Sequence, residues 1–135
     1  MANTVQVDIL TSERTVYSDE VEMVIVPTID GNLGFLPNHS PLITGLQIGQ
    51  IRIKKDGEEI ELATSGGFIE VKPDQINILA DTAEFPEEID IERAKRAKKR
   101  AKERLQKSDE ARINETRAES ALQRAINRID VVQGE

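Results

Sequence analysis

The chain has 135 residues, 38% of them hydrophobic, a formal net charge of −7, and neither cysteine nor tryptophan. This suits one ordinary domain or a smaller domain with an appendage, and it excludes disulfides, thiolate metal sites and cysteine redox chemistry. The longest strongly apolar run, Met23 to Val26, is far short of the roughly 20 residues of a membrane span, and MANTVQVDIL lacks a basic-then-apolar leader pattern, so a soluble, cytosolic chain is expected.

The first half reads as strands. Val5, Val7 and Ile9 alternate with Gln6 and Asp8, and Val21 to Val26 is β-branched and apolar up to Pro27. Ile51 to Lys54 and Ile60 to Leu62 flank Asp56-Gly57, a hairpin-turn pair in which glycine accepts positive φ. Val71 and Ile76 to Leu79 continue the pattern across Pro73-Asp74. Short strands at such intervals, punctuated by Gly and Pro, predict an antiparallel sandwich or barrel, with no helix needed before residue 86.

After Pro86 the period changes. No further Gly or Pro occurs before Gly134, and Ala94, Ala97, Ala101 and Leu105 recur at three- and four-residue steps, the mark of a helix with a narrow, small-residue stripe. Lys107-Ser108-Asp109 interrupts it, with Ser108 or Asp109 suited to cap a second helix. Ala111, Ala118, Leu122, Ala125 and Ile129 share one face of that second helix, so the two stripes should pack as an antiparallel helical hairpin. The expected organisation is a β-sandwich over 1–86 and a helical hairpin over 87–135.

Charge follows the same division. Residues 1–88 carry a net −11 and residues 89–135 a net +4, with eight bases packed between Arg93 and Arg104. Like charges such as Lys95/Lys99 and Arg100/Arg104, one turn apart, each cost a helix about 0.2–0.5 kcal/mol, so an anion bound there would stabilise it. A solvated helix face is the plain alternative. Nucleic-acid binding is disfavoured because residues 89–135 contain no aromatic side chain, and membrane binding because the apolar face is mostly alanine. A protein or small-anion partner remains.

No carboxylate sits in a motif with a base and a nucleophile, and no GxxxxGK[ST] run occurs, so the chain is not expected to be an enzyme. His39, the sole histidine, is better read as holding its loop than as a metal ligand.

Two stretches carry a specific resemblance. Gly31-Asn32-Leu33-Gly34-Phe35-Leu36-Pro37-Asn38-His39-Ser40-Pro41-Leu42 and Ser65-Gly66-Gly67-Phe68-Ile69-Glu70-Val71, followed by the helical segment, make the chain similar, from about residue 4 to residue 132, to the ε-subunit family of bacterial F-type (F1Fo) ATP synthases. The resemblance implies a sandwich of about ten strands and a two-helix C-terminal domain. It also implies a non-catalytic rotor subunit, peripheral on the cytoplasmic face of the cell membrane, whose sandwich lies against the γ subunit and the c-ring. Its hairpin would either fold down on the sandwich or extend along γ into the catalytic head. There it would inhibit ATP hydrolysis by presenting the basic face of Lys98, Lys99, Lys102 and Arg104 to the β (and α) subunits.

Several bacterial members carry an I/L-D-x-x-R-A motif that binds ATP as a regulatory ligand, and Ile89, Asp90, Arg93 and Ala94 match it. The resemblance thereby implies ATP, with or without magnesium, stabilising the folded-down hairpin, and no required cofactor. Asp90 also falls where the helix starts, so an N-cap and a nucleotide contact are both open. Arg100 lies two turns beyond Arg93. Arg124 and Arg128, one turn apart on the second helix, would reach phosphates if the hairpin closes, a task suited to guanidinium forks. Glu84 matches an acidic position of the family's ATP site, with a solvated surface carboxylate as the alternative. Two other functional readings stand beside this one: a rotor subunit whose inhibition ignores nucleotide, and a free-standing β-sandwich adaptor with a polyanion-binding tail.

Overall fold

A computed structural model describes residues 3–106 and 112–134, without the side chains of 112–115. The contacts divide the chain into two compact units, Met1–Phe85 and Pro86–Glu135.

The first unit holds ten strands: β1 (Val5–Leu10), β2 (Thr15–Val21), β3 (Met23–Thr28), β4 (Gly31–Phe35), β5 (Leu42–Leu46), β6 (Gly49–Lys55), β7 (Glu58–Thr64), β8 (Gly67–Val71), β9 (Gln75–Ala80) and β10 (Ala83–Glu84). They pair in the order β10-β7-β6-β3-β5-β8-β9-β1-β2, with β4 on β3. Period-two alternation builds the core: Val5, Val7 and Ile9 of β1, Ile51 and Ile53 of β6, and Ile76 and Ile78 of β9 are each at most 1% exposed. The Asp56-Gly57 turn is as the sequence predicts, with φ of 53° and 78° joining β6 to β7.

The expected antiparallel sandwich is present, with one exception in its pairing. Every pairing among the described residues is antiparallel except β1 with β9, where Val7 lies beside Ile76 and Ile9 beside Ile78. Parallel neighbours need a long connection, and here most of the sandwich lies between them in sequence, so local patterning carries no trace of the pair.

Close backbone approach decides one glycine. Gly67, at the start of β8, has φ +133°, and a Cβ there would fall 2.1 Å from the Leu79 carbonyl oxygen. The β8–β9 pairing therefore requires glycine at this position.

The second unit opens with a 3-10 turn at Pro86–Glu88, followed by α1 (Ile91–Gln106) and α2 (Arg112–Gln133). Gly134, at φ +74°, follows the last turn of α2 in the left-handed conformation that ends many helices. The two helices pack together and α2 also touches the 3-10 turn that precedes α1, so α2 runs back antiparallel to α1. The buried positions are mostly alanine: Ala94 and Ala101 of α1, Ala118 and Ala125 of α2. The interruption expected at Lys107-Ser108-Asp109, its Ser108 or Asp109 cap, and Ala111 lie outside the described residues.

Candidate functional site

The start of α1 is set by Asp90. Its Oδ1 accepts the Arg93 backbone N–H at 3.1 Å, and its carbonyl accepts the Ala94 N–H at 3.0 Å, so the carboxylate caps one of the free amides of the first turn. Ile89, half-buried, is tied back by its N–H to the Pro86 carbonyl at 3.2 Å. Ala94 is 5% exposed and belongs to the seam with α2, leaving Asp90 and Arg93 at the surface beside it.

The four arginines singled out by sequence share a relation that spacing along either helix alone does not show. Each immediately precedes a buried seam residue: Arg93 before Ala94, Arg100 before Ala101, Arg124 before Ala125, Arg128 before Ile129. With about 3.6 residues per turn, the preceding residue lies about 100° around the helix. In an antiparallel pair that rotation carries both helices' preceding residues to the same side. All four guanidiniums therefore originate on one face of the hairpin. Along α1, Arg100 lies two turns beyond Arg93, and along α2, Arg124 and Arg128 lie one turn apart. The face unites cations from both helices at the end where Asp90 caps α1, a geometry suited to a polyphosphate.

Glu84 stands apart from this set. It is the last residue of β10, paired opposite Ala63, and belongs to the sandwich. On α1, Lys99, Lys102 and Arg104 are exposed and Lys98 is half-buried. Among the described residues no group of three or more His, Asp or Glu side chains is arranged to hold a metal ion. His39 holds its loop as expected: its Nδ1 lies 2.7 Å from the Ser40 carbonyl and its ring meets Phe35 edge-on at 4.9 Å.

A second surface escaped sequence reasoning. Phe68 of β8 lies directly between Gly45 of β5 and Leu79 of β9, and Leu79 lies beside Leu10 of β1, so their side chains share the outward face. Ile29 closes on this row, its N–H donating to the Gly45 carbonyl at 3.1 Å, and Ile43 stands two residues from Gly45 on the same face. Ile29, Ile43, Phe68 and Leu79 are 62, 69, 62 and 53% exposed. Four exposed apolar side chains gathered on one sheet face make a candidate docking surface. The only sequence signal was a break in alternation, where Phe68 beside Ile69 and Leu79 beside Ile78 put an apolar residue at an outward position.

The strip borders a polar row that fixes the same sheet. Asp8 accepts hydrogen bonds from Ser18, from Gln6 at 3.0 Å and from Gln75 at 2.7 Å, and Asn77 donates to Glu70 at 3.3 Å. The Ser18 hydroxyl foremost, with the two glutamine amides, holds the Asp8 carboxyl below its usual pKa against an opposing desolvation.

Comparison with known proteins gives both units a counterpart. The family model of the ATP synthase delta/epsilon chain β-sandwich domain matches residues 4–86, and that of the delta/epsilon long α-helix domain matches residues 87–133. The chain is 49% identical over 133 residues to the ATP synthase epsilon chain of Desulforamulus reducens, covering 98% of this chain and 100% of that protein. It is 54% identical over 129 residues to that of Bacillus velezensis, covering 95% and 96%. Its fold is also that of a chain in the cryo-EM structure of the Euglena gracilis mitochondrial ATP synthase OSCP/F1/c-ring assembly, with a TM-score of 0.80 at 23% identity over 91% of this chain and 78% of that one.

Proposed function

The chain belongs to the ATP synthase delta/epsilon chain family, and from that premise we propose that it is a non-catalytic subunit of the enzyme's rotor with a nucleotide-sensing hairpin. The sandwich docks on the γ subunit and the c-ring at the cytoplasmic face of the membrane, and the apolar strip of Ile29, Ile43, Phe68 and Leu79 supports that role. The hairpin carries the regulation. Extended toward the β and α subunits, its Lys98, Lys99, Lys102 and Arg104 face acidic protein surface and restrain ATP hydrolysis; closed, it binds ATP. The observation that supports ATP sensing best is the common face of Arg93, Arg100, Arg124 and Arg128, because a triphosphate bridging two helices stabilises only the hairpin in which they are together. Glu84, on the sandwich, is the remaining candidate nucleotide residue, with a solvated surface carboxylate as the alternative.

One observation favours a second reading, in which the hairpin inhibits without sensing nucleotide. The bond from the Arg93 amide gives the Asp90 carboxylate a complete structural role as a cap. Calorimetric titration of the full chain with ATP separates the two. Arg93→Ala removes a charge-assisted donor worth about 1.5–3 kcal/mol and should weaken binding about tenfold to a hundredfold. Equal binding by wild type and Arg93→Ala, or none by either, leaves the second reading in place.

A further inference from the structure

The strand path has two ends, β10 and β2, and one aromatic contact links them. Tyr17 of β2 meets Phe85, the residue after β10, with ring centroids 6.5 Å apart and planes tilted by 58°. Both rings pack against the sandwich core. Phe85 is also the last residue of the first unit, and Pro86 begins the second. The point where the sheet's edges meet is therefore the point where the chain leaves for the hairpin.

The Tyr17 hydroxyl is shut off from water and has no hydrogen-bond partner among the described residues. Nearly all buried polar atoms in folded proteins are paired, and an orphan hydroxyl works against the state that buries it. Burial foremost, with the Asp19 carboxylate nearby and Lys55 opposing, raises the phenol's pKa, in keeping with a hydroxyl lacking both water and an acceptor. Phenylalanine would fill the same space without that cost, so packing alone does not account for the oxygen.

We propose that Tyr17 and Phe85 form a latch at the root of the hairpin: closed here, it opens when the chain at Pro86 draws Phe85 away, and opening wets the Tyr17 hydroxyl. Two effects then oppose each other. Opening loses the ring contact but supplies the hydroxyl with the water it lacks, which brings the two states closer in free energy than an all-apolar contact would. The latch thus makes opening at the hinge less costly than an all-apolar contact would. It depends on no nucleotide and stands whether or not ATP binds.

The chain reports on its own latch, since Tyr17 is its single tyrosine and it has no tryptophan. The phenolate absorbance of the full chain gives one titration, and hydrogen exchange of the amides from Ala83 to Ile89 gives the opening of the hinge. Phe85→Ala should bring the phenol's midpoint down toward the ordinary value. Tyr17→Phe should slow exchange across the hinge about five- to tenfold, the lower part of the range for one unpaired hydroxyl, while amides of β1 and β9 exchange as before. An unchanged midpoint in well-folded Phe85→Ala would overturn the proposal. So would unchanged or faster hinge exchange in Tyr17→Phe, which removes only an oxygen and keeps the test decisive should Phe85→Ala fold poorly.

Discussion

Asp90 occupies a position where two roles give different outcomes for two substitutions. Asp90→Ala deletes the acceptor 3.1 Å from the Arg93 amide and leaves that amide to water, a loss of about 1 kcal/mol for an N-cap. Against a seam built largely of alanine, that is about a fivefold shift in the opening of the hairpin. Asp90→Asn keeps an acceptor in place and should leave helix stability close to wild type. If Asp90 only caps, the Ala variant weakens ATP binding by no more than its fivefold effect on the hairpin, and the Asn variant not at all. If the carboxylate also contacts the nucleotide, both variants lose about tenfold or more. Far-UV circular dichroism melts give the first quantity and calorimetry the second, on the same full-length proteins. Unaltered helix melting in Asp90→Ala would refute the capping argument, and wild-type ATP affinity in Asp90→Asn would remove the carboxylate from the nucleotide site.

Gly67→Ala should cost the sandwich upward of about 3 kcal/mol in denaturant unfolding, because its Cβ meets backbone, 2.1 Å from the Leu79 oxygen and 2.9 Å from the Ala80 Cα, rather than a yielding side chain; a loss under about 1 kcal/mol would show that β8 and β9 part easily. Stability should also fall at both ends of the pH range. Asp19, held low foremost by its bond from Lys55, stabilises above the unfolded carboxylate pKa of about 3.9 and ceases to as pH drops through its lowered folded value. Lys55, raised foremost by its bond to Asp19, stabilises fully below about pH 10 and loses that contribution as pH climbs through its raised value, while Tyr17, raised foremost by burial, adds a penalty over the same range because its phenolate forms less readily in the folded state. Melting temperature against pH should show both declines, with a shallower alkaline one in Tyr17→Phe, and an identical alkaline decline in that variant would contradict the Tyr17 share.

What the sequence discloses follows the range of the interactions concerned. Alternation in β1, the Asp56-Gly57 turn and the alanine period of α1 are local, and each is read within a window of ten residues or so. The change of period at Pro86 likewise separates two kinds of segment without any knowledge of their packing. The parallel pairing of Val7 with Ile76 and the meeting of Tyr17 with Phe85 are not local, and nothing in either segment names its partner. The candidate nucleotide residues were legible as a motif, but their convergence on one face required the antiparallel seam. The apolar strip was the hardest to see, since Phe68 and Leu79 carry the side chains of core residues and only the strand register turns them outward.

The alanine seam has a consequence for the hairpin's life outside its closed form. A mobile element with a leucine-rich seam would expose, on opening, a surface that invites aggregation, and it would need a dedicated groove to receive it. Ala94, Ala101, Ala118 and Ala125 carry one methyl group each, and Ile129 and Val131 are the larger buried side chains of the pair. A hairpin that opens as proposed would thus uncover less apolar surface than a leucine-rich pair of the same length. The modest hydrophobic content that limits the pair's stability also limits what the proposed opening would expose.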